Sequence, residues 1–253
     1  MQDKDLPDMI LDAMSQTLFS EDDDFPFRHH LGASLLGADC ELQLFFSFRW
    51  VKLIQHDTRI ERIFNKGRRE EIIMLDHLEQ IGLTLTREKD GNQIRAPMPP
   101  HLGGSMDAVM HVPAMFVGTY GHYMPIEVKT HKQEIYNRVK KKPIYESMPT
   151  HFCQGNIYAS TIGATHFMYY AKNKNNEEYH LKIYKADPMV AKINIDRGSR
   201  IIYTSNRDML AKTKAKHLCN MCDYKEICKQ RLPAEHVSCR SCKHAIPMTD
   251  GVW

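Results

Sequence analysis

The stretch PIEVKTHK, residues 125–132, sets an acid and a base two positions apart in a β-branched run. On a strand, side chains at i and i+2 leave the same face, so Glu127 and Lys129 stand side by side while Ile126 and Val128 point the other way. A carboxylate buried in a sheet is costly, and one neighbouring ammonium offsets only part of that cost. Such an arrangement is tolerated chiefly where a metal ion or a charged substrate completes it. Magnesium takes oxygen ligands, typically one or two carboxylates together with waters and substrate phosphate. Two further acids are candidates to converge on Glu127. Asp107, in GGSMDAVMH, follows a glycine pair that would let a backbone or a substrate approach closely. Glu71, in GRREE, is read in the first turns of a helix over 68–81, where an acid is also favoured simply by the helix dipole. Glu71, Asp107 and Glu127, with Val128 of the same strand, would hold Mg²⁺ or Mn²⁺, and Lys129 would face a scissile phosphate.

Two more sets of residues carry chemistry. Gln154 and Tyr158 are four apart and share one face if their segment is helical. CNMCDYKEIC supplies Cys219, Cys222 and Cys228, and Cys40 lies far upstream. Three thiols this close point to metal, either zinc or an iron–sulfur cluster. With zinc, His217 would complete a Cys₃His site and leave Cys40 as a buried thiol. CRSCKH contributes Cys239 and Cys242, half of a zinc knuckle, with His236 and His244 nearby in sequence. Cys153, next to Gln154, reads as core packing.

The pattern G-x-x-D, then E-V-K, resembles the PD-(D/E)XK nuclease superfamily, in which an Asp and an acid-x-Lys pair on adjacent strands bind metal and activate water. Ser105-Met106-Asp107 departs from the nominal Pro-Asp, a Pro that is dispensable in the RecB-like branch. Gln154-x-x-x-Tyr158 is similar to the fourth motif of RecB-like nucleases, where the pair supports the site and contacts the DNA strand. One early cysteine and a late C-x₂-C-x₅-C resemble the iron–sulfur members, among them AddB-type and CRISPR adaptation nucleases, and phage recombination exonucleases are of similar type. Tyr224 matches the aromatic residue common between their late cysteines. The resemblance implies a DNA exonuclease acting on single strands or DNA ends in recombination, repair or CRISPR adaptation. It implies a [4Fe–4S] cluster on Cys40, Cys219, Cys222 and Cys228 that clasps the two ends of the fold. Lys140, Lys141 and Lys142 would touch phosphates; the basic run 129–142 also reads as an ordinary solvated face. The alternative function is a non-catalytic DNA-binding or scaffold protein with a structural zinc or iron–sulfur site. No Walker A loop is present, so a helicase motor would come from a partner. Oligomerisation is left open.

These residues need elements to position them. The chain has 253 residues, is 42% hydrophobic and carries a net charge of only +3, so charge alone names no nucleic-acid partner. No run is long and apolar enough to span a membrane, and the acidic start is unlike a signal peptide, so the expected location is the cytoplasm. Periodicity predicts a helix over 5–18, an acidic linker to Arg28, and a helical segment over 32–50 with Ser34 as N-cap and Cys40 near its middle. A helix over 65–82 would bury Ile72, Leu75, Leu78 and Ile81. A hairpin over 83–96 would close at Asp90-Gly91. Strands follow over 104–111 and 122–130, then a helix over 151–163, a hairpin over 166–187 and a polar helix over 187–216. The expected class is α/β: a mixed central sheet flanked by helices, restriction-endonuclease-like. The expected divisions are 1–28 (N-terminal helix and linker), 29–232 (nuclease domain with its clasp) and 233–253 (cysteine-containing tail).

Overall fold

The computed structural model describes residues 9–10, 27–89 and 91–253. The expected helix over 5–18 and the acidic linker fall almost wholly outside them. In chain order the elements are β1 (Leu31–Gly32), α1 (Ala33–Leu36), α2 (Glu41–Phe48), α3 (Thr58–Gln80), β2 (Thr84–Thr86), β3 (Glu88–Lys89), β4 (Asn92–Arg95), β5 (Leu102–Gly103), β6 (Ser105–Met106) and β7 (Ala108–His111). Then come α4 (Val117–Tyr120), β8 (Tyr123–His131), α5 (Gln133–Lys141), α6 (Ile144–Ser147), α7 (Pro149–Thr161), β9 (His166–Asn173), β10 (Tyr179–Lys185), α8 (Pro188–Tyr203), α9 (Lys216–Asn220) and α10 (Lys225–Gln230).

The central sheet runs β10-β9-β8-β7-β2. β8 and β9 are parallel, joined by a crossover through α5 to α7; the other pairings are antiparallel. It is the mixed sheet flanked by helices that the pattern predicted. Alternation along β8 divides its two faces. Ile126 and Val128 pack with Met74, Leu75 and Leu78 of α3. On the other face the register partners Tyr169 and Ala171 of β9 pack with Ala159 of α7. A separate apolar cluster joins α1, α2, α8 and α10 through residues such as Leu36, Phe46, Ile201 and Ile227.

Several expectations are corrected. The 32–50 segment is two helices, with Gly32 rather than Ser34 as the first N-cap and Cys40 as the N-cap of α2. α3 starts seven to ten residues earlier than expected, because Asp57 caps it by accepting a bond from Ile60 N at 2.8 Å. Only Met74, Leu75 and Leu78 of α3 are buried; Ile72 and Ile81 are exposed. In the 83–96 segment, β3 pairs with β4, but β2 leaves to join β7 in the central sheet. The polar helix stops at Tyr203, after which the chain turns toward the cysteines. The basic run contains a helix, α5, whose Tyr136 and Val139 are buried.

Candidate active site

Glu127 and Lys129 leave the same face of β8 and form an ion pair, as their spacing requires. Glu127 is 2% exposed, and neither of its carboxylate oxygens takes a well-directed hydrogen bond from a described residue. Lys129 Nζ also donates to the Val128 carbonyl at 3.1 Å. Asp107 stands in the break between β6 and β7 rather than within a strand. Its Oδ2 accepts from Val128 N at 2.8 Å, which stitches the break to β8. Glu71 sits in the middle of α3, so the helix-dipole explanation for an acid there does not apply.

Electrostatics ties the four groups together. Burial pushes the Glu127 carboxyl up to about 8; Lys129 opposes the shift, and Asp107 and Glu71 add to it. Burial, then Asp107, raises Glu71 to about 7, again against Lys129. Asp107 is raised by burial while Lys129 and the Val128 N–H hold it down. Lys129 is raised by these acids, Glu127 foremost, despite the cost of burial. Three carboxylates therefore share one ammonium, and the deficit of positive charge is what a divalent cation would fill. The donor set, all oxygen, suits Mg²⁺ or Mn²⁺. Among the described residues no three His, Cys, Asp or Glu side chains are drawn together into a ready-formed cation cage.

Gln154 and Tyr158 lie on α7 and are both buried, with Gln154 Nε2 donating to Tyr158 Oη at 3.3 Å. Burial raises the Tyr158 hydroxyl, and Glu127 and Asp107 raise it further, which places it beside the acids. Gly104 makes room for it: a Cβ there would lie 2.7 Å from the Tyr158 oxygen. The close approach read from the glycine pair is thus made by Tyr158. Lys140, Lys141 and Lys142 are exposed at the far end of α5, and Lys140 lies 3.5 Å from Glu178.

One part of the site escaped the sequence reading. His131 Nε2 and His151 Nδ1 both meet the Tyr169 hydroxyl, at 2.7 and 2.9 Å, and the two imidazoles stack 6.0 Å apart. Burial, then Lys129, lowers His131 to about 4 and His151 to about 3, so both are neutral. The signal was available: His131 is two residues beyond Lys129 on one strand face, and His151, Gln154 and Tyr158 share one helical face. A second acid–base pair, Glu70 with the buried Lys172 at 2.5 Å, was also missed.

The early and late cysteines meet. Cys40, Cys219, Cys222 and Cys228 line one cleft of about 470 Å³, together with Leu42, Phe46 and Met221. Burial raises the Cys222 thiol, and its neighbours Cys40 and Cys228 add to the shift. Tyr224, 4% exposed, packs its ring 5.8 Å from Phe46 and bonds Ser47. His217 is exposed and does not line the cleft. Cys239 and Cys242 are exposed elsewhere, and Cys153 is buried in the core as expected.

No protein-family model matches the chain, and no curated protein is significantly similar to it in sequence. Solved structures of similar shape include SSO0001, 11% identical, covering 92% of this chain and 99% of that one with a TM-score of 0.49. Another is an alkaline exonuclease from Laribacter hongkongensis, 14% identical over 68% of this chain and 86% of that one, TM-score 0.49. A complex of LHK-Exo with dAMP is 13% identical over 80% and 94%, TM-score 0.49. Likeness at this distance carries no inference about activity, which has to come from the chain's own residues.

Proposed function

We propose that this chain is a divalent-cation-dependent deoxyribonuclease, an exonuclease acting on single-stranded DNA or DNA ends in recombination, repair or CRISPR-adaptation-like processing. One observation carries the reading: Glu71, Asp107 and Glu127, from a helix, a strand break and a strand, crowd a single lysine in a largely buried setting. A network built for stability alone would balance its charges. Glu71, Asp107, Glu127 and the Val128 carbonyl would hold Mg²⁺ or Mn²⁺. The ion, when bound, supplies Lewis acidity toward the phosphate and a more acidic water.

The remaining roles belong to the chain. The Val128 N–H fixes the direction of the Asp107 carboxylate. Lys129 neutralises charge that develops on the phosphate and orients the attacking water, its ammonium already aimed by Glu127 and the Val128 carbonyl. Gln154 and Tyr158 brace the acids from α7 and present polar groups to the DNA strand. Lys140, Lys141 and Lys142 add phosphate contacts through sequence-independent electrostatics. Residues 29–232 form the nuclease unit, and a helicase or recombination partner would supply any motor.

Cys40, Cys219, Cys222 and Cys228 would hold a [4Fe–4S] cluster as a structural clasp. The fit rests on four thiols facing one cleft and on the absence of His217 from its lining, which favours an all-thiolate set over Cys₃His zinc. Anaerobically purified protein should be brown and contain iron and sulfide; a colourless zinc protein would overturn this part.

The test of the catalytic reading uses end-labelled single- and double-stranded DNA with Mg²⁺ or Mn²⁺. Lys129→Ala should cut at least ~10²-fold more slowly, on the order of one lost electrostatic donor, while its circular dichroism and any cluster stay intact. Wild-type digestion by that variant would sink the proposal.

A further inference from the structure

The C-terminal knuckle carries a feature independent of the phosphodiesterase reading. Cys239 and Cys242 flank a tight turn in which Cys242 N donates to the Cys239 carbonyl at 3.3 Å. A second turn follows, Ala245 N to the Cys242 carbonyl at 3.1 Å. The first turn is braced inside: Ser238 N donates to Ser241 Oγ at 2.9 Å and Ser241 N to Ser238 Oγ at 3.2 Å. Arg240, between the cysteines, points inward. Its guanidinium lies 4.0 Å from the Trp50 ring, 4.6 Å from Phe48 and 4.7 Å from Trp253, and it donates to the His29 carbonyl at 2.7 Å. Arg49 anchors the second turn through Ala245 O at 2.8 Å. An otherwise irregular tail is thus fixed at one point, and both thiols at that point face solvent.

The charges there do not balance. Arg49 and Arg240 are 5% and 4% exposed, Arg240 is lowered by burial and then by Arg49, and neither has a carboxylate partner among the described residues. Each leaves its Nε buried without a hydrogen-bond partner. Arg49 lines a cleft together with Cys242, and the two groups interact. Two buried cations lacking anions are costly. The Cys242 thiol lies within electrostatic reach of Arg49 and supplies a counter-charge when it binds a metal as thiolate. C-x₂-C spacing suits two adjacent vertices of a zinc tetrahedron, which needs four ligands. Among the described residues no third His, Cys, Asp or Glu joins the pair; His236 is instead packed against Phe27 at 4.6 Å.

We propose that Cys239 and Cys242 are half of a zinc site completed by the same pair in a second copy of this chain. One Zn²⁺ would take four thiolates, releasing four protons to solvent and leaving a net charge of 2−, beside the Arg49 guanidiniums of both copies. Zinc would thereby join two chains tail to tail.

The test uses the full reduced chain, wild type beside the double variant Cys239→Ser/Cys242→Ser. Cobalt(II) titration should show half an equivalent more uptake per chain in the wild type, with thiolate-to-cobalt absorption. In sedimentation the wild type should be dimeric with Zn²⁺ and monomeric after chelation, and the variant monomeric throughout. Native mass spectrometry of the wild type, which needs no variant, should find a two-chain species with one more zinc than two monomers carry together. A full extra equivalent on a monomer, equal uptake by both proteins, a dimer that persists in the variant or after chelation, or a metal-free Cys239–Cys242 disulfide would each overturn the proposal.

Discussion

Asp107→Asn separates a cation site from an ordinary buried ion network. In an ordinary network, removing an acid costs stability. Asp107 is instead repelled by Glu71 and Glu127 and attracted by Lys129 alone. Asparagine keeps an oxygen to accept the Val128 N–H, so the charge is the main change. Above about pH 8, where Glu127 and Glu71 are both ionised, at separations on the order of 6 Å and an effective dielectric of about 20, each pair is about 3 kcal/mol. Two lost repulsions against one lost attraction leave about 3 kcal/mol of relief. Solvent at the partly exposed Lys129 trims this to about 1–3 kcal/mol. In chelator the variant should therefore melt about 2–10 °C above the wild type, at the few degrees per kcal/mol expected of a chain this size. Divalent cation should reverse the order: saturation a hundredfold above Kd adds about 2.7 kcal/mol to a protein that binds it, and the variant should lose most of that gain along with its activity. The assay is thermal unfolding at a pH above about 8, in chelator and in Mg²⁺ or Mn²⁺. A variant less stable than wild type in chelator, or equal stabilisation of both by the cation, would refute the charge-deficit reasoning.

Three further expectations follow from the same coordinates. Cys219→Ser should cost the iron-loaded protein stability, and Cys40→Ser combined with it should cost little more, since either change opens the clasp; additive losses in urea unfolding would show the two cysteines to be independent. His131 and His151 stay neutral in the fold to about pH 4 and 3, whereas the unfolded chain protonates them near 6.5. Each should thus contribute a fall of about 1.4 kcal/mol per unit below pH 6.5, opposed by the raised Glu71 and Glu127 carboxyls, which take up protons in the fold; His151→Asn should remove one such contribution from the slope measured by urea titration, and a slope unchanged by the variant would contradict it. Gly155→Ala would set a Cβ 2.4 Å from the Phe167 ring in the core, for a loss of about 3 kcal/mol from overpacking; an unchanged unfolding midpoint would show that the ring yields freely.

Legibility followed periodicity. β8 is legible because one face has to be apolar and the other cannot be, so alternation alone pairs Glu127 with Lys129. α7 shows no such division: Cys153 through Ala159 are all buried, so it is a core helix rather than an amphipathic one. Asp107 was assigned to a strand because nothing in SMDAV announces a break; its cause is a long-range bond to Val128 N, which no local pattern encodes. The start of α3 was missed because its first half buries no stripe: Ile63 and Phe64 are exposed, and only the Asp57 cap marks the beginning. α5 was hidden by its own charge, since four basic residues from Arg138 to Lys142 drew attention away from Tyr136 and Val139, which bury its inner face. The His131–Tyr169–His151 cluster required knowing which strand lies beside β8, and parallel pairing across a long crossover is tertiary information.

The meeting of Cys40 with the late cysteines does not itself require a cluster, and this changes the energy a clasp would contribute. Glu41, next to Cys40, is buried and acts as a hub. Its Oε1 accepts from Arg197 Nε at 3.0 Å and from Arg200, and its Oε2 accepts from Ala211 N at 3.0 Å. Glu41 N in turn donates to the Ala211 carbonyl at 2.9 Å, and Arg197 reaches the Leu36 and Ala38 carbonyls at 3.0 and 2.7 Å. These bonds hold the segment before α2 against α8 and against the strand of chain that leads to Cys219. Closing a loop of this length in a fully flexible chain is worth on the order of 5 kcal/mol by analogy with a disulfide. Part of that entropy is already spent by the Glu41 hub in the folded state, although not in the unfolded one. A cluster that survives unfolding would still deliver the full entropic effect, whereas one that assembles only on the folded chain stabilises by its binding affinity. For the proposed cluster the hub therefore makes the second regime available: it holds the Cys40 segment beside the cleft of the late cysteines before any metal binds.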